Sequence, residues 1–329
     1  MVQNLETTSI SVVIASKGRA EALSETIESL HRQTVTPKQI IVVVPSHEDL
    51  PRNQWGDGVQ FIVGPHGSSS QRNKGIEAVL DTINYVGFFD DDFELSADYL
   101  AHALTFLNAN PSIIAISGRL LADGGMNREQ SKKLIADYKP TKEPVGMFFS
   151  RGKHHTLYGC NMIIRRAILK YETFDENLPL YSYGEDYDIS IRLERYGLVG
   201  RFHGCVGVHL QLPGGRVGEV LRGYSFVANN WYFLKKGVMH RFPRMSWVRF
   251  WFIVGRGLLA SIRKFAAGER SLDWKGRIIG YLVALKDIPL GRCRPQRITE
   301  ISDTAPGKPQ VVGLTRSSAK SEPAPAQVR

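Results

Sequence analysis

Hydrophobic and polar positions follow two alternating periods along the first third of this 329-residue chain. "ISVVIAS" at 10–16 is a continuous β-branched run, the pattern of a strand buried on both faces. "AEALSETIESLHRQ" then changes to helical spacing, with Ala22, Leu23, Ile27 and Leu30 on one stripe and Pro37 beyond its end. "QIIVVVPS" restores a buried strand, and "VQFIVG" at 59–64 predicts a third. A Gly/Ser-rich loop opens onto a second helical stripe of Ile76, Val79, Leu80 and Ile83, and "YVGFFDDD" supplies a fourth strand. Strands alternating with helices predict βαβ units and an α/β fold with a Rossmann-like, doubly wound, mostly parallel sheet.

After residue 112 the pattern changes. "SIIAISGRLL" reads as a strand, "MNREQSKKLIADYKPTKEP" as a polar excursion, and "HHTLYGCNMIIRRAIL" as a strand turning into a helix. Residues 218–240 predict a helix, and 246–288 one or two more, rich in Trp, Phe, Arg and Lys. From about Thr304 the composition shifts to Pro, Ala, Ser, Lys and Gln, which predicts a disordered tail. The expected organisation is a main domain over 1–236, in two halves at about 9–110 and about 111–236, then a basic aromatic helical extension over 237–303 and the tail over 304–329.

Ligands of doubly wound sheets bind at the carboxyl ends of strands. That rule puts Ser16 to Arg19, Pro45 to Asp49 and the cluster Asp90, Asp91, Asp92 along one rim. Three adjacent carboxylates at a strand end repel one another unless a cation or a set of donors neutralises them. A solvated acidic turn is the plain alternative. A second acidic pair, Glu185 and Asp186 in "YSYGEDYDISIRLERYG", precedes a helical stripe of Ile189, Ile191 and Leu193. Such carboxylates either interact with a helix dipole or serve as a general base beside a bound hydroxyl.

Read together, these segments resemble the inverting family 2 glycosyltransferases of GT-A fold, over about residues 9–236. The shared parts come in the family's order: "ASKGR" after the first strand, "IIVVV", "SQRNKGI", "FFDDD" in the place of the DxD motif, "GEDYDISIRLERYG" in the place of the ED motif, and "VHLQLPGGR" with its His. The resemblance implies a nucleotide-sugar donor whose diphosphate is held through Mg²⁺ or Mn²⁺, ions suited to hard oxygen ligands. It makes Asp92 and Asp90 the DxD carboxylates, with Asp92 the direct metal ligand and Asp91 facing ribose or base. His209 becomes a second metal ligand, against the alternative of a core histidine. Ser16, Arg19 and Arg72 fall on the donor side, and Arg216 would steady the leaving diphosphate, a plain loop arginine being the alternative. Asp186 would deprotonate the acceptor hydroxyl, with Glu185 supporting or orienting the acceptor.

Two departures from the family pattern bear on specificity. The acidic residue that reads the nucleobase after the second strand is replaced here by Val44 and Pro45, leaving Glu48 or Asp49 as substitutes from a shifted loop. The Gln-x-x-Arg-Trp motif of processive members is absent, so one sugar per event is expected. The competing readings are a catalytically silent sugar- or lipid-binding scaffold, disfavoured by intact DxD and ED pairs, and a sugar nucleotidyltransferase, disfavoured by the glycine-poor "ASKGRAEAL".

Charge sharpens the picture of the C-terminal end. The net charge is +10, and from Lys235 onward 19 Lys/Arg face 6 Asp/Glu, so the excess belongs to the last third. In "HRFPRMSWVRFWFIVGRGLLASIRKF", 240–265, the apolar run is too short and too interrupted by Arg to span a bilayer. An interfacial helix against anionic lipid is one reading, packing on the catalytic domain the other. No nucleic-acid module accompanies the basic residues, and no nucleic-acid partner is expected. The acceptor would be a saccharide or a lipid-linked saccharide. With no secretory signal pattern at the N-terminus, and with Cys160, Cys205 and Cys293 forming no CxxC pair, the expected setting is the cytoplasm, peripheral to the membrane.

Overall fold

The computed structural model of the chain describes residues 8–53, 55–139, 146–149, 156–215, 217–239 and 243–304. Arg216 and the tail beyond Thr304 lie outside the described residues. The first half runs β1 (Ile10–Ala15), α1 (Ala20–His31), β2 (Gln39–Val44), β3 (Val59–Val63), α2 (Ser68–Glu77), β4 (Tyr85–Asp90), β5 (Phe93–Leu95) and α3 (Tyr99–Ala109). The second half runs β6 (Ile113–Asp123), α4 (Arg128–Asp137), β7 (Gly146–Phe149), β8 (Asn161–Arg165), α5 (Arg166–Leu169), α6 (Glu185–Leu193), β9 (Leu198–His209), α7 (Glu219–Lys236), α8 (Pro243–Ala266), α9 (Trp274–Asp287) and α10 (Arg297–Thr304).

One sheet orders its strands β3-β2-β1-β4-β8-β6-β9-β5, with β7 also paired to β9. The β3-β2-β1-β4 portion is parallel. Beyond it β8 is antiparallel to both β4 and β6, while β6 and β9 run parallel. The strand order reverses direction around β1 and β4, which puts the crevice for a ligand at their carboxyl ends.

The two faces of the sheet separate by the two-residue period of a strand. Val12, Ile14, Ile40 and Val42 point into one core with Leu23, Ile27 and Leu30 of α1. Val13, Ile41 and Val43 point into the other, with Ile189 and Leu193 of α6. A third core joins α7 to the extension: Tyr224, Val227 and Phe233 pack with Phe250, Val254, Tyr281 and Ile298. There α7 and α9 cross so closely that Gly223 and Gly280 have no room for a Cβ, each lying against the other helix's backbone.

Two elements differ from the expectations. The stripe expected to reach Ile83 ends at Glu77; Val79 and Ile83 are still buried, but Leu80 is exposed. The polar excursion contains α4, opened by a capping box in which Asn127 accepts from Gln130 N at 2.9 Å and Gln130 accepts from Asn127 N at 3.0 Å. Arg128 ties α4 down through Glu94 at 2.7 Å and Glu25 at 2.6 Å, an ionic anchor that leaves no apolar stripe to read. The extension over 246–288 is two helices, as one of the two readings had it.

Candidate active site

The loop after β1, the end of β4, the start of α6 and the end of β9 meet around a cleft of about 1050 Å³. Its lining includes Ser16, Arg19, Arg72, Asp90, Glu185, Asp186 and His209.

At the end of β4 the three aspartates part company. Asp90 is partly exposed, and Asp91 and Asp92 are fully buried. Asp91 was expected to face ribose or base. Instead it turns inward, accepting Ser16 Oγ at 2.5 Å and pairing with Arg19 Nη2 at 2.6 Å. Burial raises its pKa to about 7 against the pull of Arg19, with Asp92 adding to the rise. Asp91 and Asp92 form the turn between β4 and β5, and the path of that turn carries the Asp91 carboxylate inward.

Asp92 Oδ2 accepts Arg19 Nη1 at 2.6 Å and Leu212 N at 2.8 Å. Its Oδ1 is buried and accepts no hydrogen bond, with His209 Nε2 3.4 Å away. Ligand atoms of Asp90, Asp92 and His209 all lie within 4.8 Å of one another, close enough to share one cation. The orphaned Asp92 oxygen and the mixed oxygen and imidazole donor set fit Mg²⁺ or Mn²⁺.

His209 is oriented from behind. Its Nδ1 lies 2.8 Å from Asp123 Oδ1, which also accepts Gln211 Nε2 at 2.6 Å, while Asp123 Oδ2 accepts Tyr158 Oη at 2.5 Å. Such a carboxylate fixes the tautomer that leaves Nε2 toward the aspartates. Burial disfavours the His209 cation, but Asp92, Asp90 and Asp123 outweigh it and raise its pKa to about 9.

The second acidic pair opens α6 behind Gly184, which adopts φ +84° beside the Phe233 ring. Asp186 Oδ1 accepts Tyr187 N at 2.8 Å, and its Oδ2 accepts Gly159 N at 3.0 Å. Burial raises the Asp186 pKa, offset in part by those two N–H groups and by Arg72. Glu185 accepts Arg72 Nη1 at 2.6 Å, and burial lifts it to about 7 despite that partner. Arg72 is itself buried on the Phe174 ring and donates to Asp90 at 3.0 Å and to Gly159 O at 2.9 Å. It therefore braces the end of β4 against the start of α6.

The loop after β2 is tied to the loop after β1 through Asp49. Asp49 Oδ1 accepts Gly18 N at 2.6 Å and its Oδ2 accepts Ser46 Oγ at 3.0 Å. Neither Glu48 nor Asp49 is among the lining residues. Gly215, at φ +62°, sits so close to Lys17 O that a Cβ would meet it at 2.6 Å, which brings the loop after β9 against the loop after β1.

Sequence reasoning missed Asp123, Tyr158 and Gly159. Gly159 alone carried a signal, standing in "YGCN" just before a strand. A Cβ there would meet Glu185 Oε1 at 3.1 Å and Asp186 Oδ2 at 3.5 Å.

Residues 11–172 match the family described as Glycosyl transferase family 2. Over 123 residues the chain is 31% identical to glucosyl-dolichyl phosphate glucuronosyltransferase of Haloferax volcanii, which covers 35% of this chain and 39% of that protein. It is 20% identical over 195 residues to the amylovoran biosynthesis glycosyltransferase AmsE of Erwinia amylovora, covering 57% of this chain and 70% of that one. The chain thus spans about two fifths of the first of these relatives. Among solved structures, S. aureus TarS 1-349 in complex with UDP-GlcNAc superposes with a TM-score of 0.56 at 13% identity, over 89% of this chain and 84% of that one. That likeness is one of fold. Residues 11–172 thus carry a family 2 glycosyltransferase region, set in a GT-A fold.

Proposed function

We propose that this protein is a metal-dependent, inverting glycosyltransferase that moves one sugar from a nucleotide-sugar donor to an acceptor hydroxyl. The acceptor is a saccharide or lipid-linked saccharide of surface polysaccharide or glycolipid assembly. The observation that carries the reading is the meeting, in one cleft, of the Asp90, Asp92 and His209 donor set with a partly buried carboxylate, Asp186, whose pKa is raised.

Asp90, Asp92 and His209 would hold Mg²⁺ or Mn²⁺, which supplies positive charge against the donor diphosphate and its leaving group. Arg19 fixes Asp92 Oδ2 so that Oδ1 stays directed at the ion site. Asp186, held by two backbone N–H groups, is oriented to accept the proton of an acceptor hydroxyl as that oxygen attacks the anomeric carbon. Attack opposite the departing nucleoside diphosphate gives inversion. Glu185 and Arg72 keep the Asp186 end of the cleft in register with Asp90. The TarS neighbour was solved with UDP-GlcNAc, which makes uridine sugars the first donors to test.

The test is a thermal-shift screen against UDP-, GDP-, dTDP- and CMP-sugars with Mn²⁺, Mg²⁺ or EDTA. One nucleotide class should stabilise the protein with metal, by about 2.7 kcal/mol at a hundredfold excess over Kd. The effect should vanish with EDTA and in Asp92→Ala. If no donor stabilises it and no nucleoside diphosphate is released with any acceptor tried, the reading is wrong.

A further inference from the structure

The helix α8 has two unlike faces. Phe250, Val254 and Ser261 are buried, the first two in the core shared with α7 and α9. Away from that core the helix leaves Trp247, Trp251, Phe252, Leu259, Ile262 and Phe265 exposed, Phe252 by 65% and Trp251 by 51%. A row of large exposed apolar side chains rimmed by basic ones along one helix marks an interaction surface. The helix contains no Asp or Glu, and its exposed positions include Arg256, Arg263 and Lys264, the last paired with Glu269 at 3.3 Å. Among the described residues no helix is long and apolar enough to cross a membrane.

We propose that this outward face of α8 docks on an anionic bilayer, its aromatic and aliphatic side chains at headgroup depth and its Arg and Lys against lipid phosphates. The charge decides the occupant. A second copy of this chain would set the same cations against one another, whereas an anionic lipid surface complements them and accepts the apolar stripe as well. Trp side chains, apolar in body with one N–H, suit that boundary. The other side of the same helix contributes Arg249 and Ile253 to the cleft lining, and Arg249 lies over the Tyr187 ring next to Asp186. Docking would therefore hold the cleft beside the lipid surface. The docking itself does not depend on which reaction the cleft performs.

The experiment is co-sedimentation of the full chain with phosphatidylcholine vesicles, with and without about 30% phosphatidylglycerol, at about 0.1 M and about 0.5 M NaCl. The expected result is partitioning onto the anionic vesicles, weakened by salt, with a blue shift of tryptophan fluorescence. Trp251→Glu/Phe252→Glu should reduce the partition coefficient by about tenfold or more, with far-UV circular dichroism unchanged. Arg263→Glu/Lys264→Glu, on exposed positions, should reduce it too and remove most of the salt dependence. The proposal is overturned if the wild-type chain ignores anionic vesicles, or if both variants bind as it does. It is also overturned if sedimentation equilibrium finds a dimer that Trp251→Glu/Phe252→Glu dissociates, since the face is then covered by a second copy. Metal-dependent nucleotide binding, measured on the same samples, reports on the catalytic reading separately.

Discussion

Replacing Arg72 by methionine tests whether the brace between β4 and α6 is electrostatic. Arg72→Met keeps an apolar stem of similar length on the Phe174 ring but removes three donors, to Glu185 at 2.6 Å, Gly159 O at 2.9 Å and Asp90 at 3.0 Å. Removing one partner of a buried ion pair costs about 3–5 kcal/mol, because the other charge stays buried alone. Here the survivor can escape by taking a proton. In the wild-type protein Glu185 already titrates near 7, above its ordinary 4.5, because burial outweighs the Arg72 guanidinium. The folded chain therefore holds that proton more tightly than the unfolded chain, and this carboxyl's contribution to stability falls as pH rises from about 4.5 to about 7. Without the guanidinium the Glu185 pKa rises further, and the fall continues into the alkaline range.

Urea unfolding of Arg72→Met against wild type should then give a pH-dependent difference. At about pH 5.5 the Glu185 carboxyl is neutral, and the deficit should be about 1–3 kcal/mol, that of hydrogen bonds left unmade. At about pH 8.5 it should approach about 3–5 kcal/mol. Glu185→Gln, added to Arg72→Met, should recover most of the alkaline deficit, since no charge is then stranded at that position. A deficit equal at both pH values, or one that Glu185→Gln leaves untouched, would refute the reasoning and reduce Arg72 to a packing residue.

Three further outcomes are expected. Asp186→Asn should lower turnover by about 10²–10⁴-fold, the usual contribution of a general base, while metal-dependent nucleotide binding measured by thermal shift is retained. Asp175 is partly buried, which disfavours its charge, yet Lys236 at 2.6 Å, Tyr232 at 2.8 Å and Asn177 hold its pKa down at about 2. Asp175→Asn should therefore destabilise by on the order of 1–2 kcal/mol at neutral pH, a difference that shrinks as acid carries the wild type from about pH 4 down through about 2. Gly280→Ala puts a methyl group onto the α7 backbone at Val220 and Tyr224 and should lower stability by about 1–3 kcal/mol or more in calorimetry.

The strands β1, β2 and β4 were legible because each is dominated by β-branched or aromatic residues buried on both faces, and the aspartate and Glu-Asp groups stood out as charges where such runs stop. β9 was not. Its sequence "LVGRFHGCVGVH" holds three glycines and two histidines, and its strand character comes from neighbours far along the chain. Gly207 is one example, since a Cβ there would collide with the Phe93 ring of β5. The support of His209 was hidden for the same reason: Asp123 lies 86 residues upstream and reaches the imidazole only because β6 and β9 pair as Asp123 with His209. Asp91 shows a different limit. Three identical neighbours look alike in sequence, and only the direction of the chain after β4 separates the one that faces inward from the two that meet His209.

The boundary expected after Lys236 falls at the end of a helix that serves both sides. α7 is 18 residues long, roughly 27 Å. Its Phe233 fills the space beside Gly184, while Gly223 is wedged against the α9 backbone. A chain cut at that boundary would keep the whole of α7 and lose the Phe250, Val254, Tyr281 and Ile298 side chains of its core, baring Tyr224 and Val227 to water. The extension is thus a keel for the catalytic half and not a trailer behind it. Exchanging it between relatives would require exchanging α7 as well, and the ED carboxylates would feel the graft through Phe233 and Gly184.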